Sequence, residues 1–232
     1  MSVNLSSFDD RPGFRIDEAA QVAYRADLEF VLGPLSDMPC VLELGSGTGL
    51  FSSFLSRCGL SVTGVDRDHD RVAIAQQRVP AAQFVTSDLE TPGFGGSLSQ
   101  RTGGFDLVIS RYTIHELRDP IAAFTAWGLL MRDTCRLALI ENCWVRQDWG
   151  WSDWAKRSND LPLACTQTWA TAAYCLRKAG LEVTHAGWMT AVNALEDTRL
   201  VAGHRLYIVV ARRPAKPAAA PDQARMSAFR DP

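Results

Sequence analysis

The sequence predicts an α/β fold, a three-layer sandwich in which helices cover both faces of a mostly parallel seven-stranded sheet whose last strand is antiparallel. Three observations carry this. Short apolar runs alternate with helix-like stretches along most of the chain, the pattern that right-handed βαβ units produce. A glycine-rich bend joins the first run to the helix after it. The last two runs have no helix pattern between them, which suits an antiparallel pair.

The elements follow in order. Ile16 to Leu32 has helical character, with Asp17 near its start and Gly33-Pro34 as its stop. Cys40 to Leu44, CVLEL, is a short apolar run that breaks into glycines and suits a buried strand. Thr48 to Cys58 is an amphipathic helix closed by Gly59. Leu60 to Val65 is the second strand, and Asp68 caps a helix running to about Arg78. Gln83 to Thr86 is the third strand. Thr91 to Gly104, rich in Gly, Ser and Pro, reads as a loop, and Phe105 to Ser110 is the fourth strand. Asp119-Pro120 supplies an N-cap and first-turn proline for a helix to about Met131. Arg136 to Ile140 is the fifth strand, and Thr166 to Ala179 is a helix ended by Gly180. Leu181 to His185 and Leu206 to Ala211 complete the strands. The tail, 213–232, is Ala/Pro-rich and is expected to be disordered.

At 232 residues the chain suits one α/β domain with a sizeable core. A net charge of −2 gives no basic field to hold a phosphate backbone, so no nucleic-acid partner is expected. Met1 to Asp10 shows no basic start followed by an apolar run, and no stretch is long enough to span a bilayer. The six cysteines form no CxxC pair and the four histidines are scattered, so reduced thiols, a cytoplasmic location and no metal are expected.

The chemistry centres on Glu43-Leu44-Gly45-Ser46-Gly47-Thr48-Gly49, between the first strand and the helix after it. Glycines there let the backbone turn sharply and approach a ligand that a Cβ would push away. A dinucleotide fingerprint needs a small residue where Leu50 stands, and a phosphate loop needs a Gly-Lys-Ser/Thr ending that is missing. The acidic-x-G-x-G-x-G pattern resembles motif I of the class I S-adenosylmethionine-dependent methyltransferases, and later landmarks fall in that family's order from about Cys40 to Arg212.

That resemblance implies a set of roles. Asp66, ending the second strand, would accept hydrogen bonds from both ribose hydroxyls of the cofactor, a bidentate role that needs a carboxylate. Asp88 would meet the adenine amino group, Leu89 would pack on the adenine, and Glu43 would hold the amino-acid end. The implied cofactor set is Glu43, Gly45, Ser46, Gly47, Thr48, Gly49, Asp66, Arg67, Asp88, Leu89 and Ser110. Residues 1–36 would form a helical lid, 37–212 the cofactor-binding domain, and about 143–168 a Trp-rich insertion on the acceptor side. Where the family has a Lys-Pro-Gly-Gly turn before the fifth strand, this chain reads Met131-Arg132-Asp133-Thr134-Cys135, which puts the local turn in doubt.

Methyl transfer from a sulfonium mainly needs the acceptor held in line, with a general base where the acceptor must lose a proton. Candidates after the fourth and fifth strands are Arg111, Tyr112, His115, Glu116, Glu141 and Asn142. His115 is the natural base, with an ordinary pKa of about 6.5, although a histidine here is often structural. Arg111 suits an acidic group or a solvated loop cation. Glu141-Asn142 resembles the magnesium-holding pair of catechol O-methyltransferases, but those enzymes also use an aspartate where this chain has Ser110, so the pair is read as the lip of the cleft. Trp144, Trp149, Trp151, Trp154 and Trp169 crowd the following segment, where indoles either stack on a planar or amine-bearing acceptor or pack a subdomain, with Trp169 assigned to the core.

The expected function is transfer of a methyl group to an O or N atom of a small molecule, in a biosynthetic setting, by a monomer or homodimer. Rivals are a non-catalytic cofactor-binding regulator and a nucleic-acid or protein methyltransferase. The Asn/Asp-Pro-Pro-aromatic motif of amino-directed nucleic-acid enzymes is replaced here by Ser110-Arg111-Tyr112-Thr113.

Overall fold

Val41, Leu42 and Leu44 are all fully buried, as a strand with helices on both sides requires. They belong to Cys40–Leu44 (β1), at the middle of a mixed sheet. The computed structural model describes residues 16–91, 98, 104–145, 161–195 and 205–215.

The other strands are Ser61–Asp66 (β2), Gln83–Thr86 (β3), Phe105–Arg111 (β4), Met131–Val145 (β5), Thr166–Gln167 (β6), Glu182–Trp188 (β7) and Arg205–Arg212 (β8). The main order is β3-β2-β1-β4-β5-β8-β7, and β6 pairs antiparallel with the end of β5. β8 is antiparallel to both β5 and β7. The seven-stranded path with its last strand reversed is the expected one, and β6 is a two-residue addition to it.

Helices Glu18–Leu32 (α1), Leu50–Arg57 (α2) and His69–Arg78 (α3) precede β3, and Pro120–Gly128 (α4) precedes β5. Pro162–Cys165 (α5) and Trp169–Lys178 (α6) flank β6, and Thr190–Asn193 (α7) joins β7 to β8. Short aspartates start three of them: Asp17, Asp68 and Asp119 accept backbone N–H bonds from Ala20, Asp70 with Arg71, and Ala122.

Alternation along the strands sends side chains to two cores. Leu42, Val108, Leu137 and Tyr207 pack with Phe124, Trp127 and Leu176 from α4 and α6. Val41, Ile109, Ile140 and Ile208 pack with Tyr24, Leu28, Phe51 and Phe54 from α1 and α2. Each such side chain contributes about 1.5–3 kcal/mol on burial. Asp27, itself 8% exposed, accepts the N–H groups of Ala191 and Val192 and so ties α1 to α7.

Several boundaries differ from the sequence reading. β5 starts at Met131, because a register shift opposite Phe105–Leu107 draws the doubtful Met131–Cys135 stretch into the sheet. α4 therefore stops at Gly128. α6 starts at Trp169, where Thr168 and Thr171 form a capping box, and the two residues expected at its start, Thr166–Gln167, pair with β5 instead. α7 was not expected; four residues are too few to show a helical period. Leu98, in the stretch read as loop, is helical and buried in the core. The rest of 92–103, residues 1–15 of the expected lid, Trp149, Trp151 and Trp154, and 216–232 of the tail lie outside the described residues. Among the described residues, no helix is long and apolar enough to cross a membrane.

Candidate functional site

The parallel strands β1, β2 and β4 end side by side, and the glycine bend turns over their ends. The amides of Gly45 and Ser46 both donate to the carbonyl of Val65, at 2.8 and 2.9 Å, which pins the bend to β2. Gly45 has φ +76°, and a Cβ there would lie 2.0 Å from Thr113 Oγ1, so the position admits glycine alone. Gly47, at φ +52°, is crowded by nothing: a Cβ would meet no atom within 4 Å. The bend is thus tight against the turn after β4 at one glycine and open at the next.

Asp66 lies beneath the open part. Its Oδ2 accepts the Gly47 amide at 2.8 Å and its Oδ1 accepts the Asp68 amide at 2.9 Å. The Ser87 amide donates to the Asp66 carbonyl at 3.0 Å, which brings the exit of β3 alongside. Asp88 follows at once, exposed, its Oδ1 accepting the Glu90 amide at 3.0 Å. Gly47, Asp66 and Asp88 therefore gather at neighbouring strand ends. Thr48 is clamped by Arg78, which donates to its carbonyl at 2.6 Å and its hydroxyl at 2.9 Å. Arg67 forms an exposed ion pair with Glu116 at 2.7 Å, spanning from the exit of β2 to the exit of β4. Leu89 has its side chain in the core rather than at the surface of the cleft.

Two buried hydroxyls of the expected set, Ser46 and Ser110, make no hydrogen bond. Such orphans are uncommon in proteins and mark places where a ligand or water completes the bonding. With the open bend and the paired acids they fit an adenosyl amino-acid cofactor. Glu43, beneath the bend, accepts a hydrogen bond from Ser52 on α2. Burial pushes its carboxyl up to about 8, against the opposing effects of Ser52 and Arg111.

Beyond β4 the chain is strained and enclosed. Tyr112, at φ +56°, is the one non-glycine residue with positive φ among the described residues, a conformation that costs about 1–3 kcal/mol. Burial raises its phenol, and the adjacent Tyr24 adds to this. Arg111 is not a surface cation. Its Nε donates to Tyr24 Oη at 2.9 Å, and its guanidinium lies over the rings of Tyr24, Phe51 and Tyr112 at 5.3, 5.6 and 4.5 Å.

Glu141 is fully buried and organises the turn that carries His115. Its Oε1 accepts the amides of Thr113 and Ile114 at 2.6 and 2.8 Å, and its Oε2 is 3.4 Å from His115 Nδ1. This places Glu141 inside the fold, not at the lip of the cleft, because two backbone donors would otherwise lack partners. Asn142 Oδ1 is buried without a hydrogen bond. Trp169 packs edge-on against Trp188 at 4.4 Å and Tyr207 at 6.5 Å, partly buried beside the core.

Sequence reasoning missed Ser52, Arg78, Thr113, Gln167 and Tyr207. Apart from Thr113, which stands in the stretch after the fourth strand that was compared with the family's motifs, none belongs to a motif, and Gln167 fell inside a stretch read as helix. Only Ser52 carries a signal in hindsight, a polar residue on the buried side of an amphipathic helix.

The sequence profile of the family described as "Methyltransferase domain" matches residues 16–186. An uncharacterised methyltransferase of Mycobacterium tuberculosis is 31% identical over 123 residues, covering 52% of this chain and 58% of that protein. The chain spans smaller shares of other relatives, down to 6% of a non-reducing polyketide synthase. Among solved structures, the [4+2]-cyclase SpnF superposes with a TM-score of 0.60 at 15% identity, covering 89% of this chain and 88% of that one. The geranyl diphosphate C-methyltransferase of Streptomyces coelicolor gives 0.55 at 15% identity, covering 82% and 77%. These structural likenesses are likenesses of fold.

Proposed function

The chain belongs to the methyltransferase-domain family, class I enzymes dependent on S-adenosylmethionine, and from that premise we propose that it methylates an O or N atom of a small, planar or amine-bearing molecule in a biosynthetic setting. The observation that carries the reading is the bond from the Gly47 amide to Asp66, which sets a carboxylate under the open part of the bend.

When bound, S-adenosylmethionine supplies an electrophilic methyl group on a sulfonium; the protein supplies position. Each Asp66 oxygen has lone pairs beyond the backbone bonds it accepts, enough to take both ribose hydroxyls. Asp88 would receive the adenine amino group, and Glu43 would face the amino-acid end. The hydroxyls of Ser46 and Ser110 would complete their bonding on the cofactor, with Arg67 and its partner Glu116 beside them at the exits of β2 and β4. His115 takes a proton from the acceptor where one must leave, with Glu141 fixing its ring through Nδ1. Net charge −2 and the sequence after β4 disfavour a nucleic-acid acceptor.

Isothermal titration with S-adenosylmethionine tests the cofactor site, and Asp66→Ala should weaken binding by about 1–3 kcal/mol, the scale of lost charge-assisted bonds. An unchanged dissociation constant removes Asp66 from the site. Formation of S-adenosylhomocysteine across a panel of phenols, amines and carboxylates separates a catalyst from a mere binder. In that assay His115→Ala should slow turnover and spare cofactor affinity; undiminished turnover makes the histidine scaffolding.

A further inference from the structure

We propose that Gln167 and Tyr207 form the acceptor-recognising face of this site, and that they take a neutral, planar group presenting a hydrogen-bond donor and acceptor side by side, as a lactam or carboxamide does. The inference rests on the methyltransferase reading above and adds the chemistry of the acceptor.

Gln167 is fully buried, and neither its amide oxygen nor its amide nitrogen makes a hydrogen bond. Tyr207 is equally buried; its hydroxyl lies beside that amide yet makes no bond of normal geometry. Among the described residues the two groups have only each other within reach, which leaves most of their bonding capacity unused, against the general rule for folded proteins. An apolar residue of the same volume would serve packing better, so the amide has another use. An amide presents one acceptor and two donors in a plane, and its complement is another amide-like edge.

The position fits an acceptor. β6 lies along the carboxyl end of β5, where the backbone of Gln167 pairs with that of residue 144. Tyr207 is the cross-strand partner of Glu141. Glu141 in turn holds the amides of Thr113 and Ile114, and Thr113 packs on Gly45 at the start of the bend. A continuous line of contacts thus runs from the glycine bend to the unbonded amide. Trp169, edge-on to both Trp188 and Tyr207, walls this region with flat surfaces that favour a planar guest. The Glu141 carboxylate behind Tyr207 disfavours an anionic one. Access follows from the ladder itself. Trp144–Gln167 and Val145–Thr166 are its only two pairs, the shortest ladder among the described strands, and short peripheral pairings open at little cost.

The test uses the full chain loaded with S-adenosylhomocysteine and two probes, 2-pyridone and N-methyl-2-pyridone, read by saturation-transfer NMR. The second probe lacks the donor of the first. Wild type should bind 2-pyridone roughly ten-fold or more tightly than its N-methyl analogue, since a site built to bond a donor rejects a guest without one. Gln167→Leu should lose that preference while keeping S-adenosylhomocysteine affinity and a melting temperature at or above wild type. A stabilised variant that has lost recognition is not what a structural glutamine gives. Tyr207→Phe should also lose the preference, and it decides the matter if Gln167→Leu fails to fold. Equal binding of the two probes by wild type, or a preference that survives in the variants, overturns the inference. Failure of wild type to bind S-adenosylhomocysteine overturns the underlying reading, and this proposal with it, before any probe is added.

Discussion

At the scale of single residues, Glu43 is the most informative group. Burial favours its neutral form, so the folded protein holds this proton more tightly than the unfolded chain does, with the carboxyl pushed from 4.5 up to about 8. Stability should therefore be undiminished at or below about pH 4.5 on this group's account and fall as pH rises toward about 8. Glu43→Gln should flatten that slope, measured by urea melts at several pH values between those limits; parallel slopes in wild type and variant would show that Glu43 does not set it. A bound ammonium group beside Glu43 favours its ionised form, so cofactor binding in that pH window should release a proton. Titration in buffers of different ionisation heat reads this directly.

At the scale of elements, the turn after β4 depends on a residue from another strand. Glu141→Ala leaves the amides of Thr113 and Ile114 without their acceptor and should destabilise the protein by about 1–3 kcal/mol per orphaned donor. It should also increase the proton exchange of those two amides, and unchanged exchange would mean that the turn is held by something else. Residues of this kind explain what the sequence did and did not show. The bend was legible because its glycines sit together at a strand end, and the two aspartates were picked out because their order along the chain resembles the family's. Caps such as Asp68 and Asp119 were legible because a cap acts on amides two or three positions away. Glu141, Arg78 and Asp27 act on partners 26 or more residues distant, and no local pattern announces them. The start of β5 was misplaced because its irregular pairing with β4 is a property of the pair.

At the scale of the whole molecule, burial is deepest along β1, β2, β4 and β8 and over 137–141 of β5, and shallow at the two edge strands, β3 and β7. Hydrogen exchange should accordingly be slowest in the central strands and fastest at β3 and β7, because edge strands open locally before the sheet unfolds. Uniform exchange across all strands would mean that the sheet opens only as a unit. The insertion of β8 between β5 and β7 has a further consequence for a chain that emerges from the ribosome in one direction. Until the residues up to Arg212 have appeared, β7 has no neighbour to pair with and β5 has one open side. Nascent protein halted before that point would display an unfilled slot one strand wide, a surface for holding factors or for the late strand of another copy.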